Sequence, residues 1–170
     1  MKKIIALFFF IPFFAFAQDT CKLKKETDPF TKQNRISTGF VPFIANGIDL
    51  SISIDATATE IDFFIWIKNE SKCFDDQSNA QVNYEGDKLK ANFKNTGSMN
   101  CEGAFHFTFK NSVNTPSNLK RFTDKRITSI KITGNNKTVT DIVFNEEQKQ
   151  KLLRMATCVV NESKALLIKK

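Results

Sequence analysis

Three stretches of this chain alternate apolar and polar side chains with a period of two. Leu50, Ile52 and Ile54 alternate with Asp49, Ser51 and Ser53. Ile61, Phe63, Ile65 and Ile67 alternate with Asp62, Phe64, Trp66 and Lys68, and Phe105, Phe107 and Phe109 with Ala104, His106 and Thr108. Successive side chains of a strand point to opposite faces, so each stretch predicts a half-buried antiparallel strand. Turn signals separate the strands. Asn46-Gly47 is a strong hairpin signal because both residues tolerate positive φ. Glu85-Gly86-Asp87 and Gly134-Asn135-Asn136 mark two further hairpins, the first leading into a strand with Leu89, Ala91 and Phe93 inward. Pro42 places the apolar run from Phe40 to Ala45 on a sheet edge. Leu119 and Phe122 suit a short helical turn after the loop around Pro116.

The last segment changes period. Leu152, Ala156, Val159, Val160, Ser163, Leu166 and Leu167 recur at three- and four-residue steps, which predicts an amphipathic helix over 145–168. Asn145 stands at the cap and Gln148 where the reciprocal bond of a capping box belongs. The expected fold is therefore mainly β: about eight antiparallel strands, as a curled sheet or a sandwich, with one C-terminal helix packed on the sheet. Residues 39–170 form a single β-rich domain, and 18–38 a polar N-terminal arm with Asp28-Pro29-Phe30-Thr31 as its punctuation.

Residues 1–17 have a different character. Lys2 and Lys3 precede an apolar run, Ile4 to Phe14, and Ala15-Phe16-Ala17 supplies small residues at a cleavage point. This is the layout of a secretory signal peptide. A bilayer span needs about 20 apolar residues, so the run predicts export, periplasmic or secreted, and a mature chain with no transmembrane helix. Lipidation at Cys21 is not expected, because polar Gln18-Asp19-Thr20 precede it. Loss of Lys2 and Lys3 lowers the formal charge from +7 to +5, spread over the surface as lysines. Export and this dispersed charge argue against a nucleic-acid partner.

The four cysteines all lie beyond the leader, and an even count in an exported chain predicts two disulfides. Cys73 and Cys101 bracket the hairpin around Gly86, while Cys158 lies at the margin of the helical stripe, within reach of the arm bearing Cys21. The expected pairing is Cys73–Cys101 and Cys21–Cys158. Loop-closure entropy assigns them about 3.5 and 5 kcal/mol as model-dependent upper figures.

Candidate chemistry is sparse. No CxxC pair, Cys-His cluster, GxSxG elbow or HExxH pair occurs, so neither a metal nor a cofactor is expected. Asp75, Gln77 and Asn79 alternate as in a calcium loop, but Ala80 and Gly86 stand where such a loop needs Gly and Glu. His106, the only histidine, should face away from its neighbouring phenylalanines as a lone surface or interface residue. Glu60 and Asp62 share a strand face as a possible acid pair. Phe64 and Trp66, two aromatics on a nominally outer face, are expected to form the bed of the C-terminal helix, with Trp66 mostly buried; the alternative is that they are a binding surface, and they are the best binding candidates the chain offers.

The chain resembles a group of small exported proteins of Bacteroidota with no assigned activity. The resemblance rests on the arm with Asp28-Pro29-Phe30-Thr31, on Cys73 with Asn100-Cys101-Glu102-Gly103, and on the terminal helix with Cys158. It implies the same compartment and architecture. The leading functional expectation is a non-catalytic binding or envelope accessory protein with an envelope or extracellular partner. The alternatives are a carrier of a small apolar ligand and, least supported, a hydrolase using His106. Cleavage after Ala17 is expected to leave Gln18 at the mature N-terminus; N-terminal sequencing that finds residues 1–17 retained, or a lipid on Cys21, overturns this.

Overall fold

A computed structural model describes residues 21–29, 32–68 and 72–167. The expected leader and cleavage point, Phe30 and the final lysines lie outside the described residues. Ten antiparallel strands form two sheets. In chain order they are β1 (Lys24–Thr27), β2 (Asn34–Ser37), β3 (Val41–Ala45), β4 (Ile48–Ala56), β5 (Glu60–Ile67), β6 (Asn79–Tyr84), β7 (Ala91–Lys94), β8 (Ala104–Lys110), β9 (Ile127–Thr133) and β10 (Val139–Val143). Helix α1 (Ser117–Asp124) precedes β9, and α2 (Glu146–Ser163) follows β10 and ends in a 3₁₀ turn, Lys164–Leu166.

The first sheet runs β1-β2-β4-β5-β8, and β3 shares with β2 the edge of β4 opposite β5. The second runs β10-β9-β6-β7. The arm, read from sequence as extended and separate, contributes β1 and β2 to the first sheet. These strands raise the count above eight. Their sequences, KKET and NRIS, carry no apolar alternation, and only Ile36 is buried. Asn46 and Gly47 do close the β3–β4 hairpin, with φ of 50° and 79°. Leu89, expected inward, is 77 % exposed because β7 begins only at Ala91.

The inward faces meet in a phenylalanine core. Phe63, Phe107 and Phe109 of the first sheet face Phe93 and Tyr84 of the second, and Phe122 of α1 touches all five rings. The closest centroids, Phe63–Phe122 and Phe93–Phe107, lie 4.6 Å apart. Asp87, beside the β6–β7 turn, accepts from Lys125 and Arg121, and those bonds hold its carboxyl below the usual range.

Helix α2 packs against α1, β2, β4 and β9. Leu152, Ala156, Val159, Val160 and Ser163 form its buried stripe. The capping box between Asn145 and Gln148 is present, and the Gln148 amide also donates to the Ile44 carbonyl of edge strand β3 at 2.8 Å. At the other end buried Asn111 donates to the Ser163 and Thr57 carbonyls, satisfying a helix-terminal acceptor that water cannot reach. Both expected disulfides are formed, with Cα–Cα distances of 5.7 Å for Cys21–Cys158 and 3.8 Å for Cys73–Cys101. The second clamps the two segments that cross between sheets, where Phe74 and Asn100 exchange backbone hydrogen bonds.

Val159 is fully buried between α2 and the core. Val159→Asp is expected to unfold the domain, because an unpaired buried charge costs several kcal/mol against a total stability of about 5–15 kcal/mol. Val113→Asp, at a position 82 % exposed, should shift stability by no more than about 0.5 kcal/mol. Urea titration followed by circular dichroism distinguishes the two.

Candidate functional site

The face of β5 that carries Phe64 and Trp66 points away from the core, because Ile61, Phe63, Ile65 and Ile67 occupy the inward face. Helix α2 therefore does not cover these aromatics, and the expectation that Trp66 lies buried beneath it fails: Trp66 is 42 % exposed. Alternation determines which residues share a face. It does not say on which face the helix settles, and the larger apolar surface of the inward side takes it.

Cross-strand register builds the outer face row by row. Pro42, Ser51, Trp66 and Ala104 are successive neighbours, as are Ser53, Phe64 and His106, and then Asp55, Asp62 and Thr108. Phe40 follows Gly39, whose φ of 65° turns the chain before β3. Its ring meets Phe64 edge-on at 5.6 Å and Trp66 at 6.2 Å. Phe40 thus reaches across β4, and the small side chains of Ser51 and Ser53, 4 % and 3 % exposed, lie in its shelter. The Trp66 indole N–H donates to the Glu102 carbonyl at 3.0 Å, which holds the ring in place with its polar atom satisfied. Ile44, 72 % exposed, extends the apolar surface along β3.

Polar groups border this surface. His106 Nδ1 lies 3.1 and 3.2 Å from the two Asp62 oxygens, and its ring packs 5.6 Å from Phe64. His106 does face away from Phe105, Phe107 and Phe109, as expected, but it is paired with Asp62 and so is not alone. Asn95 and Thr96 bond its backbone, and Gly97 lies so close that a Cβ there would come within 2.5 Å of Nε2. Arg35 pairs with Asp55 at 2.9 Å, and Ser53 donates to the same carboxylate oxygen. Beyond the pair a hollow of about 270 Å³ is lined by Asp28, Gln33, Arg35, Asp55, Thr57, Glu60 and Asp62. Glu60 and Asp62 thus do share one recess.

The groups gathered on this face are aromatic ring faces and charged hydrogen-bonding side chains. A catalytic triad needs its nucleophile on the histidine nitrogen opposite the carboxylate. Here Thr96 Oγ1 approaches the same Nδ1 that faces Asp62, at 3.4 Å, and Nε2 abuts Gly97. The calcium-like run is a turn: Asp75 Oδ1 accepts from the Gln77 and Ser78 amides and the Ser78 hydroxyl. No cluster of three or more metal-ligating side chains occurs among the described residues. Sequence reasoning flagged Phe64 and Trp66 but passed over Phe40, Arg35 and Asp55. The pair of small serines on a strand beside two aromatics was the available signal.

The Asp62 hydrogen bond raises the His106 pKa above the ordinary 6.5, against partial desolvation. A raised folded-state pKa stabilises the fold at low pH. The contribution is complete below 6.5 and is lost as pH rises through the folded value. The stability deficit of Asp62→Asn should therefore be larger at about pH 6 than at about pH 9. NMR titration of this sole imidazole should give a midpoint above 6.5 that falls in Asp62→Asn; an unshifted midpoint sinks the assignment.

No family model, curated protein or solved structure matches this chain, so the chemistry of this face alone carries the functional reading.

Proposed function

We propose that this protein is an exported, disulfide-stabilised, non-catalytic β domain that binds a protein of the cell envelope or extracellular space through the outer face of its first sheet. The observation that carries the reading is the cluster of Phe40 and Trp66, 59 % and 42 % exposed, in mutual contact on a rigid sheet. Aromatic side chains are enriched at the centres of protein interfaces, where they bury much area for little lost rotamer freedom. The surroundings suit that role. Arg35, Asp62 and His106 form a polar rim, and Trp66 brings no unsatisfied N–H into a dry contact. The leader-like N-terminus and the two disulfides support export.

Trp66 is the only tryptophan, so its emission reports on this face directly. A bound envelope protein is expected to blue-shift that emission and protect it from acrylamide. Ile44→Ser should leave thermal unfolding unchanged and Phe40→Ser should lower it modestly, while each weakens binding about tenfold or more, as hot-spot truncations do. Binding that persists in both variants with no change in emission places the interface elsewhere.

A further inference from the structure

The edges of the two sheets differ in how they are closed. A sheet edge presents unpaired backbone N–H and C=O groups, which folded proteins guard with lysines, prolines or covering groups. On β3, Pro42 lacks an N–H, and Gln148 and Lys151 of α2 donate to the Ile44 and Pro42 carbonyls. On β8, the Asn95 side chain accepts from the His106 amide, and the Thr96 amide donates to the His106 carbonyl. The outermost strand at the other end, β1, is KKET, and β7 carries exposed Lys94. The edge strand β10 is different. Its sequence, VTDIV, is rich in β-branched residues that favour extended backbone. Val139 and Val143 are 50 % and 45 % exposed, and Asp141 between them is exposed as well. Among the described residues β10 pairs with β9 alone. The Gly134 amide donates to the Thr138 carbonyl, and the Phe144 amide to the Thr128 carbonyl. Antiparallel pairs exchange bonds at every second residue, so Thr140 and Ile142 are the residues bonded to β9. The N–H and C=O groups of Val139, Asp141 and Val143 point the other way, along the open edge.

We propose that β10 is a strand-addition site for an extended segment of a partner protein, one that carries a Lys or Arg between two β-branched apolar residues in the alternation apolar-x-basic-x-apolar. The outward backbone groups of Val139, Asp141 and Val143 supply the ladder, which gives affinity in this mode of recognition, and alternate side chains give specificity. These three side chains share the outer face of the second sheet, so the residues opposite them on an incoming strand share it too. Opposed side chains lie about 4.5–5.5 Å apart, close enough for direct packing and charge pairing. The two valines then select β-branched neighbours and Asp141 selects a cation. Asp141 already stands opposite Lys131 of β9, so a cation on its free side continues the alternation of sign across the sheet. The same carboxylate disfavours a second copy of this chain, because antiparallel pairing of two β10 strands centred on Asp141 opposes two like charges. The site lies on the second sheet and takes no residue from the aromatic face of the first.

NMR of the oxidised protein tests this, with the peptide acetyl-Thr-Val-Thr-Lys-Thr-Val-Thr-amide as probe. In the free protein the amides of Val139, Asp141 and Val143 should exchange rapidly with solvent, while those of Thr140 and Ile142 are protected. Saturating peptide should slow exchange at the first three about tenfold or more. Shift titrations should show that glutamate in place of the peptide's lysine weakens binding about fivefold, as a like-charge pair replaces an opposite one. Asp141→Lys, at an exposed position, should reverse that preference. N-methylation of the peptide's lysine, whose N–H faces β10, should abolish binding, and N-methylation of the threonine after it should be tolerated. Val139→Thr with Val143→Thr should weaken both peptides about threefold, and Phe40→Ser neither. Thermal unfolding and Trp66 emission verify that each variant is folded. Protection of the three amides in dilute free protein, equal affinity for the lysine and glutamate peptides, or indifference to N-methylation would each overturn the proposal. Protection that grows with protein concentration in the absence of peptide would assign the edge to a second copy and overturn it as well.

Discussion

The contact on which this structure depends is the insertion of Phe122 between the two sheets. Its ring is fully buried and meets Phe63, Phe107 and Phe109 on one side and Tyr84 and Phe93 on the other. A buried phenylalanine lost to alanine costs about 3–5 kcal/mol, a large part of the stability of a domain this size. More follows from its position than from its area. Phe122 sits on α1, α1 packs on α2, and α2 packs on β2, β4 and β9. The same core that joins the sheets therefore also positions the helix.

With the inward faces committed to this core, the outward face of the first sheet is defined by default. Each strand that contributes a core residue contributes its neighbour to the outer surface. Phe63 and Phe107 thus place Phe64 and His106 side by side, and Ile65 with Phe105 places Trp66 beside Ala104. The aromatic surface and its polar rim inherit the rigidity of the sheet. The Trp66–Glu102 bond and the Asp62–His106 pair remove the remaining rotamer freedom of two of the residues involved. Such preorganisation lowers the entropy cost of binding.

Covalent links reinforce the parts with the weakest cores. The arm strands bury little beyond Ile36, and Cys21–Cys158 ties the arm to α2. Lys25 adds an exposed ion pair with Glu162, which contributes little by itself. The crossing segments between sheets carry few apolar residues besides Phe74, and Cys73–Cys101 holds them together. In both places a disulfide stands where hydrophobic burial is thin.

Much of this was legible in the chain. Period-two runs marked β4, β5 and β8, Asn46-Gly47 marked the first hairpin, Pro42 marked an edge, and Asn145 with Gln148 marked the start of α2. Each is a local signal, set by side-chain direction or turn geometry within a few residues. Both cysteine pairings were also readable, because strand order and helix phase limit which thiols can meet. The short strands of the arm were not, since their pairing is driven by backbone hydrogen bonds and leaves no apolar pattern. Leu89 misled because a period says nothing about where a strand begins. The candidate site was half visible: alternation put Phe64 and Trp66 on one face, together with Asp62. Whether that face was covered was decided by tertiary packing. An amphipathic helix needs only an apolar surface of sufficient area, and the sheet offered two. The inward side, with its phenylalanines and isoleucines, buries more, so α2 settled there, and Trp66 was left exposed for Phe40 to meet.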